Sequence, residues 1–420
     1  KMMRRRMSEF HDNIEGDDEK DEFDEEMLDE MIEVVDDVNQ EEVQEDEDEQ
    51  EMVDSEAFTE AIDNSLFTFT QHTDSVYTIA IHPSDPTVVL SGGCDDKAFL
   101  WKFPTPSDPT SWYEVLEGHE DTVTAVSFNF NGKLALTGAY DGKVRVWDIE
   151  HRPTIRLIQT FDGPEDIEWA TFHNKGNGIL AGSKDGTVWL WFVQPPMCVN
   201  VFAGHDGLVT SGLFVNDGKL ICTGGEDGTL RLWNPKSGQC KAVFEPRHES
   251  EEAVTCVDSD GDIIAAGYSS GVVKIYVVSS CRLLFTLQHA EFNEESSASS
   301  VECLSIFTEQ LKFLATGGMN NMLSVWDLST GQKRVDCAHP DGVTCLLWHS
   351  TLPLVFTGCV DAGIRLWDGR DGSCLQIFTG HQNIILNLSF RVTGSNDGII
   401  ISGSDDHTAK VHAIDFSSLI

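Results

Sequence analysis

Four groups of side chains in this 420-residue chain have the residue types of a hydrolytic triad. They are His72, Ser91 and Asp95; His119, Thr137 and Asp141; His205, Thr223 and Asp227; and His339, Thr357 and Asp361. An imidazole held between a carboxylate and a hydroxyl can take the hydroxyl proton and turn that oxygen into a nucleophile. No single active site needs four such sets at fixed spacing, however, and each set is followed by a tryptophan: Trp101, Trp147, Trp233 or Trp367. The reading is therefore structural. Asp orients the imidazole, the imidazole bonds the hydroxyl, and the hydroxyl reaches the indole N–H. A buried polar group without a partner costs about 1–3 kcal/mol, so a closed chain of this kind pins one register.

Other chemistries find no support. There is no Gly-x-x-x-x-Gly-Lys phosphate loop, no Gly-x-Ser-x-Gly elbow and no His-Glu-x-x-His metal helix. The Asp-Gly pairs at 141–142, 185–186 and 227–228 are tight-turn signals with no ligand ladder after them. Glu251-Glu252 reads as a solvated loop. The expectation is a protein without catalytic activity, cofactor or metal.

The elements that must position these residues recur along the chain. Trp101, Trp147, Trp191, Trp233, Tyr276, Trp326, Trp367 and His412 follow one another at intervals of 46, 44, 42, 43, 50, 41 and 45 residues. Each ends a short alternating strand after a turn, as in Tyr140-Asp141-Gly142-Lys143-Val144-Arg145-Val146-Trp147. A histidine lies well upstream in several repeats (His72, His119, His205, His339, His381), after a glycine at Gly118, Gly204 and Gly380. Trp-Asp pairs stand at Trp147-Asp148, Trp326-Asp327 and Trp367-Asp368. These residues resemble WD40 repeats, whose unit is one four-stranded propeller blade. The resemblance covers residues 66–416 and implies an all-β propeller of eight blades, or seven with one irregular insertion. Some repeats are degraded. The third has Gly163-Pro164 and Ala181, the fifth Ser270 and Tyr276, the sixth Asn320, and the third and sixth lack a standard histidine. Leu66–Thr70 should supply the outer strand that residues 399–415 leave missing, which closes the ring and protects its edges.

Charge sets the partner class. Residues 1–60 contain 27 acidic and 5 basic residues, and residues 61–420 contain 44 and 23. So acidic a chain has little surface for nucleic-acid phosphates and favours a basic protein or peptide. Residues 1–60 form an acidic arm with too little apolar surface to fold, and disorder is expected there. Within it, Met27, Leu28, Met31, Ile32 and Val35 have the spacing of a short amphipathic helix suited to docking. The chain begins at Lys1, and Met7 reads as the natural start, with residues 1–6 non-native. There is no apolar run of membrane-spanning length and no secretory signal. The 11 cysteines include no Cys-x-x-Cys pair and mostly sit in apolar runs. They point to buried thiols in a reducing compartment, the cytoplasm or also the nucleus. A monomer is expected.

In the WD40 pattern three positions per repeat face partners: the third and fifth after the blade histidine and the one before the turn aspartate. The resemblance gives Ser75, Tyr77 and Cys94; Thr122, Thr124 and Tyr140; Asp166, Glu168 and Lys184; and Leu208, Thr210 and Glu226. It also gives Ser300, Glu302 and Met319, and Ile384, Leu386 and Asp405. Asp166, Glu168, Glu226, Glu302 and Asp405 would ring one channel mouth, with Tyr77 and Tyr140 beside them to pack on Lys/Arg stems.

Three segments are more specific. Gly92–Trp101, Asp166-Ile167-Glu168-Trp169 and Ser404–Val411 resemble the family of the angio-associated migratory cell protein, as do Ile32–Val35 and Ser299–Glu302. That family includes a fungal dedicated chaperone for the basic N-terminal segment of a large-subunit ribosomal protein. Its animal members are associated with cell migration and angiogenic signalling. The resemblance implies a ribosomal-protein chaperone in large-subunit assembly, or alternatively a cytosolic signalling or trafficking scaffold.

Overall fold

The computed structural model describes residues 62–163, 165–245, 252–290, 299–309 and 311–418. The acidic arm and its Met27–Val35 patch lie outside the described residues. The rest is a ring of eight four-stranded antiparallel sheets. The seven-bladed alternative is thereby excluded.

Seven blades are built from four consecutive strands, as blade one is from Val76–Ile81, Val88–Gly93, Ala98–Lys102 and Trp112–Leu116. The first strand of each blade is innermost and packs against the first strands of its neighbours. The ring closes where Ile385–Val392 of blade eight meets Val76–Ile81. Blade eight borrows its outer strand, Phe67–Phe69, from the start of the described chain. Phe67 faces Val411, Thr68 faces Lys410 and Phe69 faces Ala409. Leu66 lies just outside this strand, but its N–H still donates to the Val411 carbonyl at 2.7 Å. A short clasp precedes it. Thr379 Oγ1 donates to the Ile62 carbonyl at 2.6 Å, and Lys410 Nζ meets Asp63 at the same distance. Phe69 stacks on Trp101 with ring centroids 4.6 Å apart, so the borrowed strand also completes the core of blade one.

The second and third strands are joined by the turn that carries the blade aspartate, and its following residue always adopts a positive φ. Glycine does so in four blades, for example Gly142 at 73°, while Asp96, Asn321, Ala362 and His407 accept 61–68° in the others. The turn is thus held by its hydrogen bonds even where the residue type is unfavourable.

Those bonds form the expected chain in blades one, two and four. His72 Nδ1 lies 3.0 Å from Asp95 and its Nε2 2.9 Å from Ser91 Oγ, which accepts from Trp101 Nε1 at 3.1 Å. His119, Asp141, Thr137 and Trp147 repeat this geometry, as do His205, Asp227, Thr223 and Trp233. Ser91, Thr137 and Thr223 are wholly buried, so these hydroxyls offer no access to a substrate.

Two repeats depart from expectation. In blade seven His339 still reaches Thr357, which accepts from Trp367. Its Nδ1, however, donates to the Cys337 carbonyl at 3.0 Å, while Asp361 is captured by both guanidinium nitrogens of Arg365. Burial pushes the His339 imidazole down to about 4, so it is neutral, and its Nδ1–H is spent on the Cys337 carbonyl instead of the carboxylate. Blade six does contain its histidine. His289 Nδ1 accepts from Thr316 at 2.9 Å, and its Nε2 donates to Asn320 Oδ1 at 3.0 Å with the ring reversed. Blade eight completes a chain from His381 to Asp406 and Ser402. All 11 cysteines are free thiols, but Cys198, Cys240 and Cys374 are exposed on outer strands, contrary to the expectation of general burial.

Candidate functional site: an acidic rim at one mouth of the ring

One backbone bond recurs in every blade and defines the rim. Cys94, Tyr140, Lys184, Glu226, Ser269, Met319, Val360 and Asp405 each donate N–H to a carbonyl at the head of the innermost strand. The acceptors are Ser75, Thr122, Asp166, Leu208, Ala253, Ser300, Gly342 and Ile384, at 2.9–3.2 Å. The two rim positions are therefore side by side at the same end of all eight blades, including blades three and six.

The third rim position is the second residue of the innermost strand, and in every blade the ladder slips there by one residue. Such a bulge takes one side chain out of the pleat and re-aims it. The occupants are Tyr77, Thr124, Glu168, Thr210, Thr255, Glu302, Thr344 and Leu386. In four blades the threonine hydroxyl crosses to the next blade. Thr124 donates to the Ile167 carbonyl at 2.6 Å, Thr210 to Val254 at 2.6 Å, Thr344 to Ile385 at 2.5 Å, and Thr255 to Val301. Thr124 and Thr210 are thus seam clasps, which corrects their assignment as partner-facing. Ser75, Cys94 and Thr122 are also buried.

Asp166, Glu168 and Glu226 come together across blades three and four. Tyr140 of blade two donates its hydroxyl to Glu168 Oε2 at 3.2 Å. Burial pushes the Glu168 carboxyl up to about 7, and the charges of Asp166 and Glu226 push the same way against the Tyr140 hydrogen bond and Lys184. Lys184 Nζ sits 3.4 Å from Asp166 and offsets part of this charge. Glu226 is exposed.

The other two carboxylates stand elsewhere on the rim and are engaged. Asp405 accepts from Ser75 across the seam between blades eight and one, and from Asn383 Nδ2 at 2.8 Å. Glu302, in blade six, accepts from the Ser300 hydroxyl. Tyr77 is half-buried at the bulge of blade one. The rim positions of blades five and seven hold Ala253, Thr255, Ser269, Gly342, Thr344 and Val360, none of them charged. The acid is therefore clustered at blades three and four, with single carboxylates at blades six and eight. Among the described residues no group of His, Cys, Asp and Glu is arranged to hold a metal ion.

Sequence reasoning missed the clasps and His289. A Val-Thr pair opens four innermost strands, at 123–124, 209–210, 254–255 and 343–344, and that recurrence was the available signal. His289 was hidden because residues 290–300 lengthen the gap to Trp326.

The model of the WD domain, G-beta repeat, matches eight segments: 63–102, 111–148, 155–191, 196–234, 238–276, 284–327, 332–368 and 372–412. The chain belongs to the WD40-repeat family. It is 32% identical over 365 residues to the angio-associated migratory cell protein of Canis lupus familiaris, covering 84% of this chain and 81% of that protein. The Homo sapiens protein of that name is 31% identical with the same coverage. Among solved structures, Sqt1 of Saccharomyces cerevisiae superposes with a TM-score of 0.77 at 21% identity, over 84% of this chain and 99% of that one. Sqt1 of Chaetomium thermophilum, bound to the N-terminus of the ribosomal protein L10, gives 0.73 at 22%, over 84% and 100%. At these identities the two structures speak for the shared fold.

Proposed function

We propose that this protein is a non-enzymatic propeller that captures a basic protein segment at its acidic rim, as a dedicated chaperone of a large-subunit ribosomal protein. The observation that carries the reading is the cluster of Asp166, Glu168 and Glu226, with Tyr140 against Glu168, at one mouth of the ring. Clustered like charge creates a field that speeds encounter with a cation, and a half-buried carboxylate pairs more strongly than an exposed one. Glu302 and Asp405 add single carboxylates further round the rim, and Tyr77 adds an aromatic surface on which an arginine can stack. The ribosomal protein L10 N-terminus bound in the Chaetomium thermophilum structure supports the choice of a ribosomal-protein segment. On this reading the protein works as a monomer in the cytoplasm or also the nucleus, without binding nucleic acid directly.

The test is titration of a synthetic peptide of the L10 N-terminal segment into wild type and Asp166→Ala/Glu168→Ala/Glu226→Ala, at about 50 and 300 mM salt. Salt-sensitive binding that the triple variant loses is expected. Undiminished binding by the variant, or none by wild type, removes the assignment. The similarity to the angio-associated migratory cell protein favours a second reading, a signalling or trafficking scaffold. Its interface would survive both high salt and neutralisation of the rim.

A further inference from the structure

Every blade must choose what its bulge does. Where the bulge is threonine it clasps the next blade, and where it is Glu168 no hydroxyl is available to cross the seam. The carbonyl that a clasp at this seam would use belongs to Val209, the first residue of the innermost strand of blade four. That carbonyl is occupied all the same, because Trp169 Nε1 donates to it at 3.0 Å.

The indole reaches it through a slot made for it. A Cβ on Gly182, in the same blade, would lie 2.4 Å from the indole, and a Cβ on Gly212, in the next blade, 2.3 Å from it. Gly212 is the fourth residue of its innermost strand, where every other blade carries a larger side chain, from Ala170 to Leu388. Trp169 is the third residue of its own strand, and no other blade has an aromatic residue there. Two departures from the repeat, one on each side of a single seam, therefore fit each other. Blade six shows what happens without the device. Behind Glu302 the corresponding carbonyl, Val343, is met by the Cys303 thiol at 3.8 Å, a weak donor at long range.

We infer that Trp169 is a positioning residue. It closes the seam between blades three and four in place of a bulge threonine, and so leaves the bulge to Glu168 for contact with a cationic partner. The second half of this inference rests on the basic-segment reading above, and the first half stands without it.

The two halves separate in one set of variants of the full chain: Glu168→Thr, Trp169→Phe and the double variant. Thermal midpoint and affinity for the synthetic L10 N-terminal peptide are measured on each. Trp169→Phe keeps an aromatic ring but loses the N–H, and is expected to lower the midpoint by about 2–4 °C. It should also weaken the peptide by about threefold or more, a loss of Glu168 placement that a purely remote packing defect would not cause. Glu168→Thr in the wild-type background should shift the midpoint no further than the uncharged Glu168→Gln does, to within about 1 °C, because the Val209 carbonyl is already taken, and should weaken the peptide. In the Trp169→Phe background the same threonine finds that carbonyl free, and the midpoint should recover while peptide binding stays weak.

An unchanged midpoint in Trp169→Phe overturns the inference, as does threonine acting equally in both backgrounds. If Trp169→Phe does not fold, rescue of folding by the added threonine supports the seam role and failure of rescue overturns it. If the seam coupling is found but wild type ignores the peptide, Trp169 keeps its seam role. The reading of the rim as a basic-segment site then fails alone.

Discussion

Glu168 is the rim residue whose chemistry is most changed by its place. With its carboxyl near 7 instead of in the ordinary range, the charged form is the one that folding disfavours. The group therefore weakens the native state increasingly as pH rises from the unfolded value to about 7, levels off above that, and has no such effect in acid. A bound guanidinium reverses the preference and draws the proton off. Affinity for a basic peptide is expected to rise about threefold to tenfold between pH 6 and pH 8 in wild type. In Glu168→Gln the rise should flatten, and at pH 8 that variant should melt above wild type. Calorimetric titration in two buffers of different ionisation enthalpy checks the proton release directly. Identical pH profiles for wild type and Glu168→Gln would show that the site is not governed by this carboxyl.

At the scale of elements, the strand that closes the ring is the one with least material in it. Phe67–Phe69 has only three residues, yet it covers the third strand of blade eight and seals blade one through Phe69. Phe69→Ala should cost about 3–5 kcal/mol and, by loosening this strand, expose an edge that pairs with other chains. Thermal melts and light scattering read the two effects, and an unchanged melting point would mean that closure relies on the Asp63–Lys410 clasp instead. Much at this scale was legible beforehand. The recurring tryptophans marked the third strands, and the alternation Leu66–Thr70 marked the closing one. What escaped was anything set by a neighbour in space. Arg365 holds Asp361 while His339 turns to the Cys337 carbonyl, although Arg145, equally four residues on, shares Asp141 with His119, and sequence does not tell the two apart. The same holds for the rim. Five acidic residues were identified by position, but only the fold distinguishes Glu168, turned out by its bulge and half-buried beside two like charges, from Asp405, held by Ser75 and Asn383. The Val-Thr pairs were visible as repetition, yet their meaning depends on a carbonyl one blade away.

The propeller is a circle made from a line, and the line is joined with the first described strand, Phe67–Phe69, outermost on the last blade. Phe67 waits for Val411, so about 340 residues are translated between the two partners of one hydrogen-bonded pair. At roughly 5–20 residues per second, that interval is about 20–70 s on the ribosome. During it the middle blades can assemble in order, and with them Asp166, Glu168 and Glu226. The Ser75–Asp405 contact cannot form until the seam between blades eight and one is shut. A nascent chain that has exposed blades three and four thus already owns the densest part of its rim charge, while its circumference is still open. Ribosome-bound chains stalled before Ala409 should be cut readily by protease around Phe67–Phe69, and released full-length chains should resist. Equal resistance in both would mean that the early strand finds a temporary partner and that the last blade is not what locks the circle.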